Sequence, residues 1–130
     1  MNKALELHDS SLDLIEENDG QINLWLNEAI VHHTEGEPGI DKATCYIQKL
    51  EIKLTDTIKL NIPKHFPIDI SDGYFVINNE RHDNMIKIPI ESSGDIEVFI
   101  LTMHNERLKI QAKKMLILEH GEPEFLQEFE

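Results

Sequence analysis

The sequence predicts a mostly β fold, either an antiparallel β-sandwich or a partly closed β-barrel, formed as one domain over residues 1–130. Short stretches alternate apolar and polar residues, which is the period of a half-buried strand. Gly, Pro, Asn and Asp separate these stretches at near-regular spacing, as is typical of all-β domains. No sustained helical period occurs before the last residues, so we expect roughly nine short strands. A sandwich and a barrel share this pattern, and both alternatives stay open.

The stretch from Ser11 to Asn27 predicts a β-hairpin. Its two arms alternate around Asn18-Asp19-Gly20. A two-residue Asp19-Gly20 loop would mix apolar and charged side chains on each face. A three-residue loop instead gathers one apolar set on a single face, namely Leu12, Leu14, Ile22, Leu24 and Leu26. Burial of that face predicts the three-residue loop, with Gly20 at a positive φ.

Strands are also predicted on either side of this hairpin. Ala4 to Leu7 precedes it, and the polar residues His8-Asp9-Ser10 suit a corner between strands. After the hairpin, a bulge near Asn27 would explain why the apolar phase changes before Val31. We expect Thr34 to Lys42, which is rich in glycine and charge, to be an exposed loop.

The next predicted strand, Thr44 to Leu54, is long and has two different faces. One face holds Tyr46, Leu50, Ile52 and Leu54. The other holds mainly Cys45, Lys49, Glu51 and Lys53. Because this strand contains no proline, it is the candidate edge for pairing with a second copy, and we predict a homodimer through a sheet edge or an apolar face. Salt should strengthen that dimer by screening the repulsion between two acidic chains.

The second half of the chain continues the strand pattern. Thr57 to Ile62 is followed by Pro63 to Pro67, which should cross between regions because proline lacks a ladder donor. Ile68 to Ile77 is predicted as a short pair of strands around an Asp72-Gly73 turn. Asn78 to Asn84 is predicted as a polar loop.

Three more strands or strand ends are expected before the tail. Met85 to Ile90 is predicted as an edge strand because it contains Pro89. After a turn at Ser92-Ser93-Gly94, Asp95 to Met103 is apolar on both faces and is the candidate for the most buried strand. Arg107 to Leu118 is predicted as the last strand.

The tail, Glu122 to Glu130, changes period. Phe125, Leu126 and Phe129 follow Pro123 at a spacing that suits the first turn of a helix. We therefore predict one or two helical turns that lie back on the sheet.

The chain is acidic, with 25 Asp and Glu against 12 Lys and Arg and a formal net charge of -13. This charge repels phosphate backbones and anionic lipids, so we predict neither a nucleic-acid nor a membrane partner. A basic protein is a permitted partner, although the same charge also keeps a small domain soluble. The single Cys45, the absence of a bilayer-spanning apolar run and the absence of a signal-peptide core predict a cytoplasmic protein.

The sequence predicts no catalytic residue and no cofactor. His8-Asp9-Ser10 contains parts of a hydrolase site, but neighbouring residues in a strand point to opposite faces and do not form a triad together. Their side chains instead suit hydrogen bonds to the backbone at the corner. Cys45 lies within a strand without a His nearby in sequence, so we interpret it as a buried or half-buried thiol.

A metal site is a further hypothesis that the pattern disfavours. Imidazole and carboxylate groups, which suit zinc or iron, occur at His32, His33, Glu35 and Glu37. Consecutive histidines diverge in an extended chain, and no HExxH spacing accompanies them. We therefore expect exposed loop histidines here and predict no metal. Four further histidines are interpreted as surface groups: His65, His82, His104 and His120.

Six residues form the candidate contact set for a ligand or partner: Trp25, Tyr46, Tyr74, His8, Asp9 and His32. Trp25 is expected on the face opposite Leu24, where it either lines a cavity, anchors a partner or packs under a covering segment.

Two short motifs, one near each end of the chain, resemble motifs of other proteins. Leu7-His8-Asp9-Ser10 precedes the alternating hairpin, and Gly121-Glu122-Pro123 precedes an aromatic and acidic tail. In these ends and in its strand rhythm, the chain resembles small bacterial proteins of uncharacterised all-β families, some of which are labelled as immunity proteins of toxin systems. The resemblance implies a bacterial, cytoplasmic, mostly β protein, and it carries no functional residue onto this chain.

The leading functional hypothesis is a non-enzymatic binding or protein-interaction module. The acidic charge, the all-β pattern and the missing catalytic motifs favour it, and one version neutralises a basic toxin through an acidic face. The alternative is a barrel or sandwich that binds a small apolar ligand, with the three aromatic candidates as lining residues. A metal-dependent hydrolase that uses His8, Asp9 and His32 is the third hypothesis.

Overall fold

The fold of residues 1–129 consists of eleven β-strands. The computed structural model describes residues 1–129, and for Leu60 and Phe129 it describes the backbone alone. The strands are β1 (Asn2–Glu6), β2 (Ser11–Leu12), β3 (Leu14–Asn18), β4 (Gln21–Thr34), β5 (Ala43–Thr55), β6 (Ile58–Asn61), β7 (Ile68–Ile77), β8 (Glu80–Asp83), β9 (Met85–Ile88), β10 (Ile90–Thr102) and β11 (Arg107–Phe129). The prediction of a mostly β, antiparallel fold is confirmed. Residues 1–129 contain no helix able to cross a bilayer.

All eleven strands belong to one large antiparallel sheet that does not close into a barrel. Its main path runs β2-β7-β10-β11-β5-β4-β1-β9, while β3, β6 and β8 pair with β4, β11 and β7. The segment between β1 and β2 bridges the two ends of this path. The Leu7 N–H donates to the Asn84 carbonyl at 2.7 Å, and the Ile70 N–H donates to the Ser10 carbonyl at 2.8 Å. The sheet is therefore strongly curled, with an inner and an outer face.

The inner face of the curl holds the hydrophobic core. The long strands contribute alternate residues to it, and in β5 these are Leu50, Ile52 and Leu54, as the alternation predicts. Full burial of an aliphatic or aromatic side chain contributes roughly 1.5–3 kcal/mol. The largest fully buried side chains are Phe75, Leu5, Leu7, Leu12, Leu24, Leu26, Leu50, Ile52, Leu54, Ile70, Ile100 and Leu108.

The strand β5 lies inside the sheet and not at its edge. β4 pairs along one side of it, and β11 pairs along the other. The prediction that this strand is a free edge for a second copy is therefore wrong. The predicted bulge near Asn27 is confirmed, because the register of β4 against β5 shifts between Leu26 and Ala29.

The hairpin between β3 and β4 forms, but its predicted register is wrong. Leu14 pairs with Trp25 and Ile15 pairs with Leu24, which leaves a two-residue Asp19-Gly20 loop. Both loop residues have positive φ, as a type I′ turn requires.

The register differs because Leu12 and Leu14 do not share a face. The chain turns at Asp13, so that Leu12 pairs with Ile68 of β7 and is buried, whereas Leu14 lies on the outer face and is 48% exposed. Asp13 holds this turn, since its Oδ2 accepts a hydrogen bond from the Asn27 N–H at 2.6 Å.

Two predicted turns are wrong because a strand runs through each of them. Asp72-Gly73 lies within β7, where a Cβ on Gly73 would stand 2.5 Å from the Phe99 carbonyl oxygen. Glycine there permits close packing of the two strands. Ser92-Ser93-Gly94 lies within β10 at a register shift before Ile96, and is therefore a bulge. The predicted polar loop from Asn78 to Asn84 contains a tight turn and the strand β8.

The predicted C-terminal helical turn is wrong. Residues 124–129 are extended and pair with residues 43–47 of β5. A register shift after His120 and a positive φ at Gly121 mark a bulge where this last part of β11 begins. The helical spacing of the apolar residues in the tail is a local signal, and backbone pairing with a distant strand overrides it.

Candidate functional site

Trp25 lies on the outer face of the sheet, within a group of polar side chains. Its indole N–H donates to Glu16 Oε1 at 2.5 Å. Its ring centroid is 5.1 Å from that of His120 and 5.1 Å from Lys49 Nζ. Residues that pair across neighbouring strands point to the same face, which is why four strands bring this group together. We call it the outer cluster: Glu16, Asn23, Trp25, Lys49, Glu51 and His120.

Glu51 is the buried carboxylate of the outer cluster, with 3% exposure. Asn23 Nδ2 donates to Glu51 Oε2 at 2.7 Å, and His120 Nε2 lies 3.0 Å from Oε1. Burial of a carboxylate is costly unless its oxygens are hydrogen-bonded, and here both have partners. His120, predicted as a surface group, is partly buried, with 38% of its side chain exposed, and it contacts this carboxylate. The cluster lies on a sheet face and not in a cleft, so it fits contact with a partner better than enclosure of a substrate.

Tyr46 lies at the end of the core, on the inner face beside Val31. Its ring centroid is 4.2 Å from that of His33 and 6.3 Å from that of Phe125, which stands edge-on to it. Tyr46 therefore lies at the same end of the curl as a set of polar side chains.

We call that set the inner polar cluster: Lys3, His33, Gln48 and Glu119. Lys3 Nζ donates to the two Glu119 carboxylate oxygens at 2.7 and 2.9 Å, and Gln48 Nε2 donates to the Gly121 carbonyl at 3.2 Å. Burial lowers the pKa of His33, Lys3 lowers it further, and Glu119 acts in the opposite direction. Two buried atoms, His33 Nε2 and Gln48 Oε1, have no hydrogen-bond partner among residues 1–129.

Tyr74 is engaged with its own neighbours on β7, β8 and β10. Its ring stacks on Phe99 at 5.0 Å, and the Arg81 guanidinium lies 4.0 Å from the ring centroid. Its hydroxyl donates to Glu97 Oε2 at 2.7 Å. This hydrogen bond, with some burial, raises the pKa of Tyr74. The three aromatic candidates thus lie in three separate surroundings and do not line one cavity.

The His8-Asp9-Ser10 corner is confirmed as a corner, and its polar groups bind the backbone. Ser10 Oγ accepts a hydrogen bond from the Ile30 N–H at 2.9 Å. His8 Nδ1 lies 2.7 Å from the Ser71 carbonyl oxygen, and this contact, opposed by slight burial, raises the pKa of His8. Asp9 has a φ of 68°, and its N–H donates to the Ile70 carbonyl at 3.0 Å.

His32 is buried, which contradicts its interpretation as an exposed loop residue. It lies within β4, where its Nε2 is 2.6 Å from Glu6 Oε1. Cys45 Sγ lies 3.6 Å from Nδ1 and 3.8 Å from Nε2 of His32, so the sulfur faces both ring nitrogens about equally and is not aligned with either. Burial, and then Glu6, raises the pKa of Cys45. A buried thiol with a raised pKa is a poor nucleophile, and the interpretation of Cys45 as a buried thiol is confirmed.

The candidate residues for a metal-dependent hydrolase do not share a site. His8 and Asp9 contact β7 at the corner, whereas His32 contacts Glu6 and Cys45. Among residues 1–129, no group of three or more His, Cys, Asp or Glu side chains is arranged to hold a metal ion.

The free edge of β11 was not predicted from the sequence. The strand β10 pairs with β11 only as far as Ile117, whereas β5 pairs with it as far as residue 129. One side of residues 118–129 therefore has no strand partner in the described chain. Phe125 is 66% exposed and Leu126 is 41% exposed on this segment. One signal was available in Pro123, which suits an edge strand as well as the start of a helix.

Comparison with protein-family models, with curated proteins and with solved structures gives no match for this chain.

Proposed function

We propose that this protein is a non-enzymatic protein-interaction module, and that the free edge of β11 binds an extended basic segment of a partner protein. The observation that carries the proposal is the unpaired side of residues 118–129. An unpaired edge offers backbone N–H and C=O groups to a strand of another chain, and such strand addition is a recurring mode of peptide recognition.

The side chains on this edge favour a partner that combines apolar and basic residues. Phe125 and Leu126 offer exposed apolar surface, while Glu122, Glu124 and Glu128 are exposed carboxylates. Opposite charges that face each other across a β-ladder contribute roughly 0.2–1 kcal/mol each. Several such pairs, added to backbone hydrogen bonds, would select a basic strand over a neutral one.

The same carboxylates disfavour a second copy as the occupant at low salt. Two β11 edges placed side by side would bring the glutamates of one copy (Glu122, Glu124 and Glu128) close to the same group of carboxylates in the other, and like charges across a ladder are destabilising. Charged residues and Pro123 on an edge are also the usual means by which proteins prevent edge-to-edge pairing. At low salt the edge therefore disfavours pairing with a second copy, and it is complementary to a basic chain.

The overall charge of -13 supports the same choice of partner, because it would speed the approach of a basic protein at low salt. Neutralisation of a basic toxin is one form of this function, and it agrees with the resemblance to immunity proteins. A reducing cytoplasm is the proposed location, where the buried Cys45 would stay a thiol.

A peptide that alternates Lys and Val tests the proposal. We expect fluorescence anisotropy to show binding that weakens with added salt, and hydrogen exchange to show protection of residues 118–129 on binding. Glu124→Lys should weaken binding about fivefold by placing like charges together. Glu80→Lys is the matched control, because Glu80 is similarly exposed but lies on β8, away from this edge.

The proposal fails if Glu80→Lys weakens binding as much as Glu124→Lys, since the attraction would then come from the net charge alone. It also fails if a peptide that alternates Glu and Val binds equally well, or if the protected amides lie elsewhere in the sheet.

A further inference from the structure

A shallow depression on the outer face carries two lysines that form no ion pair with any side chain in the described part of the chain. Its volume is about 180 Å³, and it lies where β5, β10 and β11 run side by side. Lys53 and Lys114 line it, together with Thr55, Ser93 and Glu91. It is separate from the free edge of β11.

The register of the sheet places these side chains close together on its outer face. Thr55 pairs with Lys114, and Lys114 pairs with Ser93, so the three form one row across the outer face. Lys53 pairs with Leu116, and Leu116 pairs with Glu91, so they form the neighbouring row, about 7 Å further along the strands. Flexible lysine side chains from the two rows can reach a common point above the sheet.

Lys53 and Lys114 form no salt bridge although carboxylates outnumber cations two to one in this chain, and among residues 1–129 they share this property with Lys49, Lys64 and Arg107. Salt bridges bind most of the other basic side chains, including Lys3, Lys59, Arg81, Lys87, Lys109 and Lys113. Neither Lys53 nor Lys114 forms an ion pair with a residue that the structure describes. The hydroxyls of Thr55 and Ser93 likewise donate no hydrogen bond to residues 1–129. The two ammonium groups and the two hydroxyls are therefore available as donors to a ligand.

We propose that this depression binds a phosphate monoester group. Its dianion matches two ammonium groups, and its three terminal oxygens can accept from Lys53, Lys114 and the two hydroxyls. A carboxylate offers only one charge and two oxygens to the same donors. Among the described residues, Glu91 is the one acidic group that lines the depression, and it opposes the binding of any anion.

Inorganic phosphate is the first probe. Its binding is measured through amide chemical shifts in about 10 mM salt, where the Debye length is about 30 Å. Phosphate at about pH 8, against sodium chloride of equal ionic strength, should shift the amides around Thr55, Ser93 and Lys114. Glycerol 3-phosphate and a phosphoserine amide then distinguish a small-molecule source of the group from a protein source. Preferential binding of either ester supports the site.

Substitutions test whether the depression itself binds the group. Lys53→Gln and Lys114→Gln should each raise the Kd for phosphate about tenfold, whereas Glu91→Gln should lower it about threefold. Lys113→Gln is the matched control: it removes the same charge from the neighbouring residue, which is paired with Asp95, and should change the Kd less than about twofold. An equal effect of Lys113→Gln and Lys114→Gln would overturn the proposal. Shifts that acetate reproduces at the same concentration would overturn it as well.

Discussion

Lys3 Nζ lies 2.7 Å from Glu119 Oε1, although their strands, β1 and β11, are separated in the sheet by β4 and β5. A flat sheet would hold these strands about 14 Å apart, so the contact exists because the sheet curls. The two side chains are 28% and 25% exposed, which places the pair at the rim of the core and not in open solvent. The ion pair thus spans the open end of the curl and joins the first strand to the last.

Loss of one partner of this pair should destabilise the fold. Lys3→Met leaves the Glu119 carboxylate half-buried without its cation, and we expect about 1–2 kcal/mol of lost unfolding free energy in urea titrations. Lys113→Met breaks a well exposed pair with Asp95 and should cost less than about 1 kcal/mol. An equal loss in the two variants would contradict a special role for the Lys3–Glu119 pair.

The Lys3–Glu119 pair should also affect the pKa of His33. Burial and Lys3 hold its pKa below the usual 6.5, while Glu119 raises it. In NMR titrations, Lys3→Met should therefore raise the pKa of His33, and Glu119→Gln should lower it. Because the folded pKa is depressed, the contribution of His33 to stability is present above pH 6.5 and is lost as the pH falls through the folded pKa. Shifts of the same sign in both variants would count against this arrangement.

The turn of the hairpin distinguishes its two registers. Asp19 has a φ of 48° and Gly20 a φ of 80°, so the two-residue loop needs a left-handed backbone at both positions. Asp19→Ala and Gly20→Ala should each cost about 1 kcal/mol, whereas Asp19→Asn should be neutral or stabilising, since asparagine tolerates this conformation. The three-residue register needs positive φ only at Gly20. Equal stability of Asp19→Ala and Asp19→Asn in urea would favour that register instead.

The hydrogen bond between Tyr74 and Glu97 predicts a pH-dependent loss of stability in Tyr74→Phe. Burial opposes ionisation of Glu97, but the hydrogen bond from Tyr74 and the charge of Lys109 outweigh it and lower the pKa of Glu97. The resulting stabilisation is present above pH 4.5 and is lost as the pH falls through the folded pKa. The raised pKa of Tyr74 makes its contribution present below pH 10 and lost as the pH rises through the folded pKa.

The difference in unfolding free energy between the wild type and Tyr74→Phe should therefore be largest between these limits and shrink on either side. Tyr46→Phe is the control, because Tyr46 makes ring contacts and has no carboxylate partner among residues 1–129. A difference that does not vary with pH would show that Tyr74 acts through packing alone.

Alternation along single strands could be predicted from the sequence, because it depends only on which face is buried. The two faces of β5 follow the predicted sets, and Trp25 lies on the face opposite Leu24. The hairpin register could not be predicted, because it depends on Leu12 leaving the hairpin to pair with Ile68, which is distant in the sequence.

The same difference between alternation within a strand and pairing with distant strands explains which features of the candidate sites could not be predicted from the sequence. Glu51 was predicted on the outer face, but its burial depends on Asn23 and His120, which other strands supply. The tail was assigned a helical turn from its own residues, whereas its conformation is decided by pairing with residues 43–47. Contacts between residues tens of positions apart leave no local pattern, and the free edge of β11 is a consequence of such contacts.

Self-association should respond to salt in the opposite direction to binding of a basic partner. The strand β11, unlike β5, has a free edge for a second copy, and its exposed Phe125 and Leu126 offer apolar surface that salt does not weaken. The carboxylates beside them repel a second copy over a Debye length that falls from about 30 Å at 0.01 M salt to about 3 Å at 1 M salt. We therefore expect sedimentation to show a monomer at low salt and a homodimer at high salt, and Phe125→Lys should weaken the dimer. A chain that stays monomeric at high concentration and high salt, or a dimer that Phe125→Lys leaves intact, would show that two β11 edges do not pair.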